Sequence, residues 1–266
     1  MYGTDADRRV KTTDRSLDII ERIRAREGCT LATLVDELGL AKSTVHKHLS
    51  TLESRGYLIK EGETYHVGLK FHHHGEHARL RRRGYRLAGL KVQQIAEQTS
   101  EEGDFVVEND GRVITIHESY HPSNPYRDDP DSSVDGLSSS GTYYYMHCTA
   151  GGKALLAAFP RERVEAIVEK WGLPEQTDRT LTTERALFED LATVRERGYS
   201  VTDQEFVEGL RAIGVAVHDR DGSPLGALSM SIPTYRRDEH DYEGEASRLL
   251  LEAAADIEQT LAAEGG

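Results

Sequence analysis

Glycines at 28, 39 and 56 cut the first part of the chain into three short segments, each with a helical apolar period. Such a chain must bury three short helices against one another before anything else. In the first segment Leu17, Ile19, Ile20 and Ile23 form a stripe that ends at Gly28. Thr30 is a good N-cap for the second, whose apolar residues are Leu31, Leu34, Val35 and Leu38. Gly39 then stands where a C-terminal glycine belongs. The third runs from Lys42 to about Arg55, with Val45, Leu49 and Leu52 on one buried stripe. After Gly56, Tyr57–Ile59 and Tyr65–Val67 read as two strands around a turn at Glu61-Gly62-Glu63.

Three helices followed by a hairpin make a winged helix-turn-helix pattern. At 100° per residue, Ser43, Lys47 and Ser50 point away from the apolar stripe of the third helix, and Thr44, His46 and His48 flank it. A short, polar, cationic face of this kind suits base edges and phosphates. The expected DNA-reading residues are Lys42, Ser43, Thr44, His46, Lys47 and Ser50. A helical protein-binding module with the same core is the competing reading. Charge favours DNA. Residues 1–92 hold 18 Lys and Arg against 12 Asp and Glu, whereas residues 93–266 hold 15 against 34. The basic part suits phosphates and the acidic remainder needs another task.

From Phe71 to Ser100 the pattern gives one long helix or two shorter ones, the expected linker. His73 and His77, with Glu76 between, have a spacing that can hold a metal. Two histidines on a helix are equally a solvated or interfacial face. No metal site and no cofactor are expected.

The remainder mixes strands and helices without regular βαβ alternation, so the fold class is α+β. Val106 and Ile114 belong to two strands around Asn109-Asp110-Gly111, a hairpin signal. Ser119 to Thr142 reads as a long loop. Gly151 and Gly152 precede a helix, whose free backbone N–H groups at 150–152 can receive an anion. This is not a nucleotide P-loop, which needs Gly at 147 and Ser or Thr at 154, where His147 and Ala154 stand. Further helices pass through Val164 and Trp171 and, capped by Thr182, through Leu187 and Val194. Strands follow near 199–201, 212–217 and 225–232, and a last helix covers about 239–262.

Cys29 and Cys148 are too few for a disulfide framework or a cysteine zinc site. The His147-Cys148 pair names no third catalytic group, so no enzyme is expected. With no signal peptide and no apolar run of membrane length, a cytoplasmic protein is expected, with no membrane partner. There are 25 Arg and only 8 Lys, and the net charge is -13. A heavily acidic, lysine-poor surface fits work at very high salt, and an ordinary acidic protein from a GC-rich genome fits as well.

Three stretches together resemble the IclR family of transcriptional regulators. They are the helix-turn-helix with Ser43-Thr44-Val45, the run His147-Cys148-Thr149-Ala150-Gly151-Gly152-Lys153-Ala154-Leu155-Leu156-Ala157, and the pair Gly198–Leu210 and Ala227–Thr234. The resemblance covers about Thr13 to Leu261. It implies a winged helix-turn-helix at 10–71, a linker helix at 72–100 and a GAF-like effector domain at 101–264. It also implies a homodimer or tetramer on a palindromic operator in double-stranded DNA, controlled by a small-molecule effector, a small carboxylate or sugar-derived metabolite. The implied effector residues are Ala150, Gly151, Thr202, Asp203, Ala212, Ser229 and Ser231, with the Gly152 N–H beside them. Three positions depart from the family pattern: Ala212 replaces a usual Cys, Thr202 a usual acid, and Ala41 a usual Ser at the N-cap of the third helix.

Overall fold

The computed structural model describes residues 10–120, 141–234 and 242–263. The long loop expected between Ser119 and Thr142 therefore lies mostly outside the described residues. The chain divides into two units between Arg79 and Leu80.

The first unit packs α1 (Lys11–Ala25), α2 (Leu31–Leu38) and α3 (Lys42–Ser54) around Ile19, Ile23, Leu34, Val45 and Leu49. The Thr30 hydroxyl accepts from the Thr33 N–H at 3.2 Å, so it caps α2 as its sequence position predicts. Gly39 ends that helix in the left-handed conformation. A strand pair, β2 (Leu58–Glu61) and β3 (Thr64–Val67), forms the wing. A two-residue strand missing from the sequence reading, β1 (Cys29–Thr30), joins β3 on its other edge. Two residues are too few to show a period; Cys29 joins the core, and β3 offers the pair an open edge. Two residues differ as well: Leu17, expected on the buried stripe of α1, is 54% exposed, and His48 departs the other way. It is buried rather than flanking, with Nδ1 2.8 Å from the Ser16 hydroxyl, a polar tie between α1 and α3.

The expected linker is two helices, α4 (Lys70–Leu80) and α5 (Arg83–Thr99). The second belongs to the core of the second unit through Tyr85, Ala88, Val92 and Ile95.

That unit is built on a six-stranded antiparallel sheet in the order β6-β5-β4-β9-β8-β7. Its strands are β4 (Glu102–Asn109), β5 (Arg112–Ser119), β6 (Tyr143–Tyr144), β7 (Ser200–Asp203), β8 (Leu210–His218) and β9 (Pro224–Pro233). Strand alternation divides the residues between two faces. Phe105 and Val107, Ile213 and Val215, and Leu228 and Met230 pack with α5 and α9 (Tyr242–Ala263). Val106 and Ala227 instead face the core built with α6 (Ala150–Ala158), α7 (Arg161–Trp171) and α8 (Glu184–Arg197). Thr183 caps α8, one residue later than its sequence reading, accepting from the Ala186 N–H at 3.3 Å.

Helix α6 lies directly on the sheet backbone. A Cβ on Gly214 would sit 2.5 Å from the Ala150 carbonyl carbon, and one on Gly151 would sit 2.6 Å from a Val106 methyl. The buried Ser200 hydroxyl donates to the Ala150 carbonyl at 2.6 Å, fixing the start of the helix. Glycines 151 and 152 are thus inside the first turn, not ahead of it.

Gly214→Ala forces backbone apart and is expected to cost about 1–3 kcal/mol in urea unfolding of the second unit. Gly75→Ala, in the part of α4 that belongs to the first unit and where an added Cβ meets nothing within 4 Å, is expected to stabilise that unit by up to about 1 kcal/mol in its own urea unfolding.

Candidate effector cavity and DNA-reading helix

A cavity with about 610 Å³ of empty space, its open side included, lies between the start of α6 and the sheet. Its wall follows from strand register. One row of cross-strand neighbours runs Glu102, Ser231, Ala212, Thr202, and the next runs Asp104, Ser229, Gly214, Ser200. A third row, Thr115, Val106, Ala227, Ala216, is mostly apolar. The polarity of the wall therefore falls off along the strands, towards the core under α6.

Six of the eight sequence-predicted effector residues line this cavity: Ala150, Gly151, Thr202, Ala212, Ser229 and Ser231. Gly152 and Asp203 do not. One residue along a helix turns Gly152 by 100° to the short 3-10 turn at Met146–Cys148, where its Cβ would lie 2.4 Å from the Met146 carbonyl oxygen. One residue along a strand sends Asp203 to the face opposite Thr202, where it pairs with Arg179 at 3.2 Å.

Sequence reading missed the acids of β4. Glu102 and Asp104 line the cavity, with Thr115, Tyr144, Thr149 and Phe206. Their signal was present: 102, 104 and 106 share one face, and pairing β4 with β9 sets them opposite Ser231, Ser229 and Ala227. Tyr144 and Phe206 meet edge to face, their centroids 5.2 Å apart. Among the described residues no Lys, Arg or His lines the cavity.

The first turn of α6 has no side-chain cap; the Thr149 hydroxyl donates to the Tyr145 carbonyl at 3.3 Å. Its leading N–H groups are thus the positive element of the cavity. Farther into α6, Lys153 is fully buried, its ammonium 2.6 Å from Glu205 and 3.1 Å from Asp190. That ion cluster binds α6 to α8 and to the loop carrying Phe206. Cys148 is fully buried, and burial pushes its thiol up to about 12. A thiol so protonated is no nucleophile at neutral pH.

In the first unit, Lys42, Ser43, His46, Lys47 and Ser50 of α3 are exposed and Thr44 is half-buried. The expected DNA-reading residues thus form one accessible face opposite Val45 and Leu49. Ala41 provides no side-chain cap for α3. His73 and His74 stand with their rings 5.6 Å apart, and His74 stacks on Tyr57. Among the described residues no group of three or more His, Cys, Asp or Glu is placed to hold a metal ion. Nor is any helix there long and apolar enough to cross a membrane.

Asp104 is the strained group of the cavity. Burial pushes its carboxyl up to about 6, the neighbouring Glu118 carboxylate adds to the rise, and the Ser229 hydroxyl opposes it by donating at 2.7 Å. The other titratable groups of the wall are Glu102 and Tyr144. A carboxyl raised on folding contributes stability that is fully present below about pH 4 and is lost as pH rises through about 6. Asp104→Asn is therefore expected to melt about 3–6 °C higher than the parent at pH 8, and at the same temperature as the parent below about pH 4. Melting curves across this range check it.

Residues 12–62 match the IclR helix-turn-helix domain, and residues 85–259 match the bacterial transcriptional regulator IclR C-terminal domain. The probable HTH-type transcriptional regulator ArcR of Halobacterium salinarum is 32% identical over 255 residues, covering 96% of this chain and 95% of that protein. KdgR of Escherichia coli is 30% identical over 241 residues, covering 89% and 88%. Among solved structures, Thermotoga maritima IclR superposes with a TM-score of 0.73 at 22% identity, covering 95% of this chain and 99% of that one. An IclR homolog from Microbacterium hydrocarbonoxydans, complexed with 4-hydroxybenzoate, gives 0.76 at 22% identity, with the same coverage. These relatives carry the names of transcription regulators and not of enzymes, and they match this chain across both its units: it belongs to the IclR family of transcriptional regulators.

Proposed function

We propose that this regulator lays α3 into the major groove of a palindromic operator and is controlled by a small metabolite held between α6 and the sheet. The observation that carries the reading is the convergence of Ala150, Gly151, Thr202, Ala212, Ser229 and Ser231, from four separate elements, on one cavity. Its wall mixes apolar surface with a few polar groups, as small-molecule sites do. The uncapped start of α6 supplies N–H donors for a carboxylate. The 4-hydroxybenzoate of the Microbacterium homolog is itself a small carboxylate.

On the DNA side, Ser43, Thr44, His46 and Lys47 read base edges, while Lys42 and Ser50 are placed for phosphates. Palindromic half-sites require at least a homodimer, and a tetramer satisfies the same geometry. Effector binding shifts the assembly between states that hold the two recognition helices at different spacing. The setting is cytoplasmic.

The test is binding to the duplex upstream of the gene against random duplex. Ser43→Ala and Lys47→Ala are each expected to weaken specific binding about tenfold. Counterion release contributes little at molar salt, so the losses persist there if the contacts are to bases. Negligible losses for both rule out base reading by α3. Ala212→Leu, which fills the cavity, is expected to keep operator binding and lose every effector response. An unchanged response places the effector elsewhere.

A further inference from the structure

The cavity has two poles of opposite sign, set side by side. The leading N–H groups of α6, at Ala150 and Gly151, form the positive one. Asp104 forms the negative one, a wall carboxylate only 9% exposed. The two poles meet at Ser229. Its hydroxyl donates to Asp104 at 2.7 Å, and it stands 3.4 Å from where a Cβ on Gly151 would be. A ligand that spans both poles must carry its opposite charges on neighbouring atoms.

From this juxtaposition we propose that the effector is a zwitterion of the α-amino acid class, its carboxylate on the first turn of α6 and its ammonium on Asp104. The proposal rests on the effector-cavity reading and deepens it. A simple carboxylate satisfies the helix and leaves the buried Asp104 charge without a counter-ion, beside the Glu102 side of the wall. A neutral polyol gives hydrogen bonds to Asp104 and no compensating charge. An ammonium supplies both, and a buried carboxylate is costly until it is paired and hydrogen-bonded. The hydroxyls of Thr202 and Ser231 remain for further ammonium or side-chain contacts, and Val106, Val113 and Leu210 face the carbon skeleton. Asp104 is also held in a state that costs stability at neutral pH, as expected of a group kept for binding.

The full-length protein is titrated with each of the twenty L-amino acids, by thermal shift and then calorimetry. The tightest binder is compared with its deaminated acid, its decarboxylated amine and a sugar acid, gluconate. The expected result is that at least one amino acid binds, and that its deaminated acid, its amine and gluconate each bind at least about tenfold more weakly. Asp104→Asn is expected to bring the ratio between amino acid and deaminated acid close to one, with the carboxylate still bound. The ligand series on the parent protein stands even if that variant does not fold. Failure of all twenty to bind overturns the proposal, as does equal or tighter binding of the deaminated acid or of gluconate. If a deaminated acid binds best and Ala212→Leu abolishes it, the amino acid assignment fails while the effector-cavity reading survives. An amino acid that binds Ala212→Leu and Asp104→Asn as well as the parent occupies another place, which also overturns the proposal.

Discussion

The second unit depends on a contact made at two glycines. Helix α6 touches the sheet where Gly214 and Gly151 bring backbone within reach of backbone and of the Val106 side chain. Only at that separation does the Ser200 hydroxyl reach the Ala150 carbonyl. The same closeness sets the height of the cavity, because the helix start is its roof and the polar rows of β4, β8 and β9 are its floor. Larger residues at either glycine would lift the roof and dilute the field of the N–H groups over the floor. Packing and recognition are thus one constraint here, which is why small residues are needed at positions that look merely permissive in the sequence.

The two units solve different physical problems. The first exposes a short polar face on α3, and its core needs little more than three apolar stripes and a wing. The second encloses a small volume and must choose among metabolites, which calls for buried polarity. Buried polarity has to be compensated, so the unit carries hydroxyl ties, a fully buried lysine with two carboxylate partners, and Asp104 raised well above the ordinary carboxylate range. The net acidity of the chain is carried by residues 93–266, within the second unit.

Much of this was legible from periodicity alone. The stripe Val45, Leu49, Leu52 located α3 and its outward face, because a helix in a small core reports its buried side in every turn. Thr30, Gly39 and the hairpin glycines marked boundaries for local reasons, and local reasons survive in a sequence. The limits were non-local. His48 reads as a flanking polar residue until α1 brings Ser16 against it. The two-residue β1 carries no pattern of its own. Gly152 and Asp203 stand one step along their elements from the cavity wall, a matter of phase that only the packed structure resolves. Glu102 and Asp104 share a face with Val106, yet nothing in β4 alone says which face is roofed by α6. That knowledge comes from the pairing of β4 with β9, partners separated by more than a hundred residues.

Lys153 gives the helix a further property. Its ammonium is sealed from solvent and shared between the loop that bears Phe206 and the long helix behind it. Separating such a charge from its partners costs about 3–5 kcal/mol, more than most small ligands can divert into moving one element alone. The roof, the loop and the back helix are therefore tied at one buried charge, and parting any of them from the other two exposes it.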